Sequence, residues 1–159
     1  MVEPTTQVRP YTDSDAPVWD KYVLASPSAT LFHLTAWNRA VAESYGHQPV
    51  HRVAWSGARP VGVLPLFLVK SALVGKILVS VPYATYGGIL ADTNEAAEEL
   101  LASAKHLCRE LRTEYLELRH RDRNSLDLPE IGRYDTFRKQ LPDRAEDILP
   151  AFPRKARAA

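Results

Sequence analysis

The stretch "RPVGVLPLFLVKSALVGKILVSVPY", Arg59–Tyr83, decides the fold. It contains two apolar runs, residues 60–70 and 76–83, and the alternating segment "PVHRVAW" at 49–55 precedes it. Short connections containing glycine and serine join the three segments, a pattern typical of an antiparallel meander of strands. Pro65 removes one ladder donor from the middle run, so we expect a bulge or a sheet edge there.

Helical patterns flank this meander. A proline-containing first turn predicts a helix that runs to about Ala25, and apolar residues at helical spacing predict a second helix over 34–44. After the meander, Asp92 and Glu95 stand in capping-box spacing ahead of an apolar stripe that reaches Leu111. This third pattern is the strongest helix signal in the chain.

Shorter segments complete the order of elements. Strands are predicted at 7–11, 114–119 and 134–141, and a last helix begins within 143–152. The resulting order is β-α-α-β-β-β-α-β-β-α. Helices that cover a mostly antiparallel sheet define an α+β layered sandwich.

Composition excludes several classes of protein. The chain has 159 residues, 45% hydrophobic and 25% charged, which favours one globular domain. Its net charge of +1 provides no global field toward nucleic acid, so we expect no DNA partner. Cys108 is the only cysteine, which excludes an internal disulfide and a multi-cysteine zinc site.

The polar N-terminus lacks a signal segment, and the most apolar run is far below the roughly 20 residues that span a bilayer. We therefore expect a cytoplasmic protein with no transmembrane segment.

Five stretches, in this order and spacing, carry a resemblance to a known family. They are "WDKYVLASPSATLFHLTAWNRAV" (19–41), "GARPVGVLPLFLVKS" (57–71), "VPYATYGGILAD" (81–92), "EYLELR" (114–119) and "LPAFPRKARAA" (149–159). The chain resembles the FemAB-type branch of the N-acetyltransferase-like (GNAT) fold, in particular the FemAB-like proteins encoded beside exopolysaccharide and PEP-CTERM/exosortase genes. Broader relatives of that family transfer amino acids from charged tRNA to peptidoglycan precursors.

The resemblance implies an acyltransferase or aminoacyltransferase that acts on a cell-envelope or exopolysaccharide precursor. Such proteins usually carry two GNAT-like halves, and this chain resembles the first: residues 1–150 as one GNAT-like domain, and 151–159 as the basic start of a truncated helix or linker. The implied partners are a glycan or peptidoglycan-type precursor and either a C-terminal GNAT-like half or a second copy of the chain. An acyl-CoA or a charged tRNA is the implied acyl donor, with no firmly bound cofactor, and the implied location is the cytoplasm or the inner face of the membrane.

The segment "YATYGGILAD" supplies the main candidate site. Gly87 and Gly88 allow a close approach to the main chain, and Tyr83 and Tyr86 each offer a flat apolar face and a hydroxyl. The resemblance implies that acceptor contacts lie in this region. The alternative, of equal weight, is a tightly packed sheet-to-helix corner whose glycines serve only the turn.

Other candidate binding residues have strong structural alternatives. By the resemblance Trp37 would shape the acceptor cleft, although a core aromatic residue is the favoured interpretation. His33 stands where the family often has glutamine, and a bond to local backbone is its alternative role. Lys70 could pair with a phosphate, but a solvated strand end is more common. The basic runs at 119–123 and 154–157 are typical of solvated segments.

Several catalytic signatures are missing from the sequence. An acetyl-CoA enzyme of this fold carries a loop Arg/Gln-x-x-Gly-x-Gly/Ala, whose amides hold pyrophosphate. Here Arg59 and Gly62 fit that spacing, but Leu64 fills the last small position. No P-loop, zinc-protease motif, nucleophile elbow or dinucleotide fingerprint occurs, so no metal site is predicted. Two hypotheses remain: an acyltransferase half that works mainly by proximity, and a non-catalytic ligand-binding or dimerisation module.

Overall fold

The computed structural model describes residues 5–71, 73, 75–121, 126, 128–131 and 139–157. The chain divides into two compact units, Met1–Leu126 and Asp127–Ala159. The first unit contains β1 (Thr6–Pro10), α1 (Ala16–Ala25), α2 (Thr35–Tyr45), β2 (Gln48–Pro49), β3 (Arg52–Ser56), β4 (Arg59–Leu64), β5 (Phe67–Ser71), β6 (Gly75–Val79), β7 (Leu90–Ala91), α3 (Asn94–Leu111) and β8 (Leu116–Glu117). The second unit contains α4 (Ala145–Ile148) and α5 (Arg154–Arg157).

The strands of the first unit form two four-stranded sheets, in the orders β1-β3-β4-β7 and β2-β5-β6-β8. All neighbouring strands are antiparallel except β6 and β8, which are parallel. The long crossover connection that a parallel pair needs contains α3. The predicted α+β architecture, with a mostly antiparallel sheet covered by helices, is therefore confirmed. The meander is confirmed as two hairpins, but its strands are divided between two sheets.

The first sheet is covered on both faces. Ala54 and Leu64 join the core cluster that contains the apolar stripe of α3. Their chain neighbours Val53 and Val63 lie in a second cluster with Trp19 of α1. This alternation is what a strand buried on both faces requires. The apolar side chains on the two faces hold α3 and α1 against the sheet.

The prediction of one strand over residues 60–70 is wrong. The run breaks between β4 and β5, where Pro65 and Leu66 are fully buried and the chain passes from one sheet to the other. Pro65 has no N–H to give to a ladder, and the Leu66 N–H donates to the His51 ring instead. The proline therefore marks a crossing between sheets rather than a bulge or an edge.

The helix boundaries agree with the sequence to within a residue or two for α1 and α2. For α3 the N-cap is Thr93, not Asp92, and its Oγ1 accepts the Ala96 N–H at 3.2 Å. Asp92 instead binds the Tyr22 hydroxyl and the Arg59 guanidinium.

In the second unit, α4 lies inside the segment 143–152 that was predicted to begin a helix. Residues 134–138 of the predicted strand lie outside the described residues, and 139–141 are not in a strand. The basic segment after residue 150 contains α5. The domain boundary at residue 150 stays a prediction. In the part of the chain that the structure describes, no helix is both long and apolar enough to cross a membrane.

Two buried histidines and one half-buried histidine make the stability sensitive to acid. Burial lowers the pKa of His51 to about 4, and its Nδ1 accepts the Leu66 N–H at 2.9 Å. Burial also lowers the pKa values of His33 and His120. Histidine in the unfolded chain has a pKa of about 6.5, so below that pH the unfolded state binds more protons than the folded state. Stability is therefore lost as the pH falls from about 6.5 toward 4.

We expect the free energy of unfolding at pH 5 to be lower than at pH 7 by about 2 kcal/mol from His51 alone. Urea unfolding at a series of pH values measures this difference. An unfolding free energy that stays constant between pH 7 and 5 would contradict a neutral, buried His51.

Candidate functional site

A cleft of about 520 Å³ opens where the connection between β6 and α3 reaches the helix. It is lined by Ser28, His33, Tyr86, Gly87, Gly88, Ile89, Leu90, Ala91, Asp92, Thr93, Asn94, Ala97, His120, Arg121 and Leu126. The lining comes from the turn before α2, from the connection itself, from the start of α3 and from the segment that follows β8.

The two glycines of the connection are required by close packing. A Cβ at Gly87 would lie 2.6 Å from Cγ1 of Val81, and a Cβ at Gly88 would lie 2.6 Å from Cδ2 of His120. Both N–H groups donate to the carbonyl oxygen of Arg119, at 2.8 and 3.0 Å. The corner is thus tightly packed on one side, and the cleft opens beside it.

Arg119 holds the connection to the end of β8. Its guanidinium donates to the carbonyl oxygens of Val81 and Ala84, at 3.4 and 2.8 Å, and to Oε1 of Glu117 at 2.6 Å. Its backbone N–H donates to Oγ of the buried Ser80 at 3.0 Å. The interpretation of residues 119–123 as a solvated loop is therefore wrong for Arg119, because its side chain donates hydrogen bonds to backbone carbonyl oxygens of the connection. Residues 122 and 123 lie outside the described residues.

His33 is buried at the cleft with both ring nitrogens engaged. The Thr30 N–H donates to Nδ1 at 3.1 Å, so Nδ1 carries no proton. Nε2 lies 3.2 Å from the Gly88 carbonyl oxygen and donates to it in the neutral ring. Burial lowers the pKa of His33, which keeps the ring neutral. The residue thus fixes the position of Gly88 and leaves no nitrogen for proton transfer.

His120 and Arg121 were not among the predicted site residues. Nε2 of His120 accepts the Ile89 N–H at 3.0 Å, which places the proton of the neutral ring on Nδ1. Both side chains line the cleft, three and four residues after the end of β8. Their position just after the carboxyl end of a strand was the signal that could have found them.

Tyr83 does not line the cleft. Its φ of 61° is in the left-handed region, which is uncommon for a residue with a side chain. Its ring stacks on Tyr45, with centroids 3.9 Å apart, and its hydroxyl lies 2.9 Å from Nε2 of His47. The tyrosine therefore belongs to a separate surface cluster at the end of α2.

Trp37 and Lys70 also lie away from the cleft. The Trp37 ring packs against Phe32, with centroids 5.0 Å apart, and its buried Nε1 has no hydrogen-bond partner in the described part of the chain. Lys70 is exposed on β5, directly across from Lys76 of β6. The position of Lys70 favours a solvated strand end, whereas Trp37 is half-buried and lies outside both core clusters.

The structure thus brings four of the seven predicted site residues together at the cleft: His33, Tyr86, Gly87 and Gly88. It places the other three elsewhere: Trp37, Lys70 and Tyr83.

Solved structures share this architecture. A ribosomal-protein-alanine N-acetyltransferase from Brucella melitensis biovar Abortus 2308 matches with a TM-score of 0.54 and 12% identity, over 86% of this chain and 99% of that chain. The aminoglycoside acetyltransferase AAC(6')-Iy, in complex with a bisubstrate analogue, matches with a TM-score of 0.52 and 11% identity, over 86% of this chain and 99% of that chain. The aminoglycoside acetyltransferase meta-AAC0020 from an uncultured soil metagenomic sample matches with a TM-score of 0.51 and 10% identity, over 84% of this chain and 97% of that chain. The chain has the GNAT acetyltransferase fold.

No protein-family model matches the sequence, and no curated protein matches it either. At these identities the likeness establishes the GNAT fold alone. The resemblance to the FemAB branch of that fold stays a prediction.

The pyrophosphate loop of GNAT acetyl-CoA enzymes is not found at the stretch that partly fits its pattern. Arg59–Leu64 is strand β4 throughout, and Leu64 is fully buried. A Cβ at Gly62 would lie 2.9 Å from Cδ1 of Leu100, so this glycine serves the packing of α3 on the sheet. The prediction that Leu64 lies within a strand is confirmed.

The start of α3 is occupied by its own side chains. Thr93 caps the helix, and hydrogen bonds from the Glu95 backbone and from Thr93 lower the pKa of the Glu95 carboxyl. Asp92 lies 3.2 Å from the Arg59 guanidinium and accepts the Tyr22 hydroxyl at 2.9 Å. Burial, and then this bond to Asp92, raise the pKa of Tyr22. Two carboxylates at the helix start disfavour a phosphate there.

In the described residues, no cluster of His, Cys, Asp and Glu side chains could hold a metal ion.

Proposed function

We propose that this chain is an acyltransferase domain of FemAB type that binds the acceptor, a cell-envelope or exopolysaccharide precursor. The observation that carries the proposal is the cleft at the start of α3 in a GNAT fold. Among its described lining residues the charged side chains are Asp92 and Arg121, and the two histidines are held neutral. A lining of balanced charge with several neutral polar groups suits a sugar or a peptide stem better than a polyphosphate.

The chemistry that fits this cleft is positioning. His33 has no nitrogen available as a base, and the Gly87 and Gly88 N–H groups are bound to the Arg119 carbonyl, so they cannot stabilise a developing oxyanion. The chain would then hold the acceptor amine close to an activated acyl carbon, an effect that can supply several kcal/mol of the barrier reduction.

The acyl donor, an acyl-CoA or an aminoacyl-tRNA, carries phosphates. Because Thr93 caps α3 and Asp92 and Glu95 are acidic, we place those phosphates outside this helix start. A second GNAT-like half or a second copy of the chain would supply the donor site.

The proposal predicts that filling the cleft weakens acceptor binding. Ala97 lines the cleft on α3, whereas Ala102 is exposed on the same helix. The probe is a muropeptide, the disaccharide-peptide unit of peptidoglycan with a free amine, and its affinity is measured by calorimetry. We expect Ala97→Leu to weaken its binding at least about tenfold, a change of roughly 1.4 kcal/mol, and Ala102→Leu to have no effect. A muropeptide that does not bind, or that binds both variants equally, would contradict the proposal.

A non-catalytic binding module is the second candidate. It is favoured by the engagement of His33 and Arg119 in holding the backbone. The two candidates are separated by mass spectrometry of the muropeptide after incubation with the protein and either acetyl-CoA or aminoacyl-tRNA. An acylated product that Ala97→Leu eliminates would establish the transferase, whereas binding without transfer would favour the module.

A further inference from the structure

We infer that Tyr45, His47 and Tyr83 form a stacking platform for a neutral pyranose ring of a glycan. These three residues, called the aromatic platform below, lie outside the cleft lining. Their rings are nearly parallel, with interplanar angles of 21° for Tyr45 and Tyr83, 7° for His47 and Tyr83, and 15° for Tyr45 and His47. Two segments that are distant in the sequence thus form one stack of nearly parallel aromatic rings.

The aromatic platform is open to solvent. Tyr45 is 54% exposed and Tyr83 is 55% exposed, although each ring covers one face of the other. More than half of each tyrosine therefore stays open to solvent despite the stacking. Stacked tyrosines with this much exposed apolar surface are typical of a binding surface rather than a core.

The conformation of the main chain holds the rings in this place. Gly46 ends α2 with a φ of 66°, which turns the chain so that His47 follows beside Tyr45. Tyr83 has a φ of 61°, a conformation that is unfavourable by about 1 kcal/mol or more for a residue other than glycine. Strained residues of this kind persist where the surrounding contacts define their position.

The chemistry of the surface favours a neutral sugar. The flat ring faces match the C–H face of a pyranose, while the Tyr83 hydroxyl and the His47 imidazole, 2.9 Å apart at the rim, can bind sugar hydroxyls. The segments 43–49 and 81–85 around the three residues contain Glu43 and no lysine or arginine. A nucleotide could stack there, but the nearby Arg119 guanidinium already binds the Ala84 carbonyl oxygen and the Glu117 carboxylate. A phosphate would therefore find no positive charge on these two segments and only a paired one beside them.

The aromatic platform is close to the cleft along the chain. Tyr83 precedes Tyr86 by three residues, so their Cα atoms are separated by at most roughly 11 Å. A glycan of a few sugars bound to the platform could extend to the cleft. That the bound sugar belongs to the acceptor rests on the proposed function, whereas sugar binding by the platform does not.

Saturation-transfer NMR tests the inference on the whole chain with two neutral probes at millimolar concentration, N-acetylglucosamine tetrasaccharide and cellotetraose. We expect transfer to the C–H protons of the sugar ring. Tyr45→Phe keeps the flat ring and should bind within about twofold of the native protein, whereas Tyr45→Leu is apolar but not flat and should bind about fivefold to tenfold more weakly. Tyr115 is exposed outside the platform, so Tyr115→Leu is the matched control and should bind normally.

Three results would overturn the inference: no transfer to either tetrasaccharide, equal weakening by Tyr45→Leu and Tyr115→Leu, or tighter binding of uridine monophosphate than of both sugars. Circular dichroism confirms that each variant is folded. Transfer to a tetrasaccharide that Tyr45→Leu weakens and Tyr115→Leu does not would confirm the platform even if muropeptide binding in the cleft fails.

Discussion

Replacing Gly87 with alanine is expected to destabilise the protein by about 3 kcal/mol and to close the cleft to ligands. The new Cβ would lie 2.6 and 2.7 Å from the two methyl carbons of Val81, which is fully buried and cannot move aside. Relief requires a shift of the backbone, and that shift would break the hydrogen bonds to the Arg119 carbonyl. Urea unfolding measures the loss of stability, and muropeptide calorimetry measures the loss of binding.

The control is Gly57, in the turn between β3 and β4. It has a φ of 61°, and a Cβ there would have no atom within 4 Å. Gly57→Ala should therefore cost only the backbone strain, about 1 kcal/mol, and should not affect ligand binding. If both alanine variants lose the same stability, the close packing of Gly87 is not what requires a glycine.

Trp19→Ala is expected to reduce the free energy of unfolding by about 4 kcal/mol. The ring is 1% exposed and packs against Tyr11 and His51, with centroids 5.2 and 5.9 Å away. Its Nε1 donates to the His33 carbonyl oxygen at 2.7 Å. Removing the ring leaves a large cavity and an unpaired buried carbonyl, and both effects are destabilising.

Trp19→Phe separates these two effects because it keeps most of the volume and removes only the donor. We expect a loss of about 1–2 kcal/mol for this variant. Val18, the neighbouring exposed position on α1, is the control, and Val18→Ala should change stability by no more than about 0.5 kcal/mol. A Trp19→Ala variant as stable as Val18→Ala would show that α1 does not pack on the sheet as described.

The apolar pattern was sufficient to predict the class of fold and the order of its main elements. It could not show that residues 60–70 serve two sheets, because hydrophobic periodicity reports burial and not which partner strand provides it. The interaction that makes the break possible, between the His51 ring and the Leu66 N–H, joins residues fifteen positions apart. A contact between residues so far apart in the chain cannot be found by searching the sequence for motifs.

The candidate site was predicted in part. Tyr86, Gly87 and Gly88 reach the cleft because the chain needs a close approach at that corner. Tyr83 was grouped with them on spacing alone, but its left-handed φ belongs to a residue that stacks on Tyr45 instead. His120 could not be linked to the corner from the sequence, because its contact with Ile89 spans thirty-one residues.

The crossing at Pro65–Leu66 has a consequence for engineering. The chain there is fully buried and passes directly from one sheet into the other, so a cut or a graft at this point would separate the two halves of the framework. The exposed hairpin at Gly57 is a better place for a fluorescent tag, an inserted domain or new chain termini.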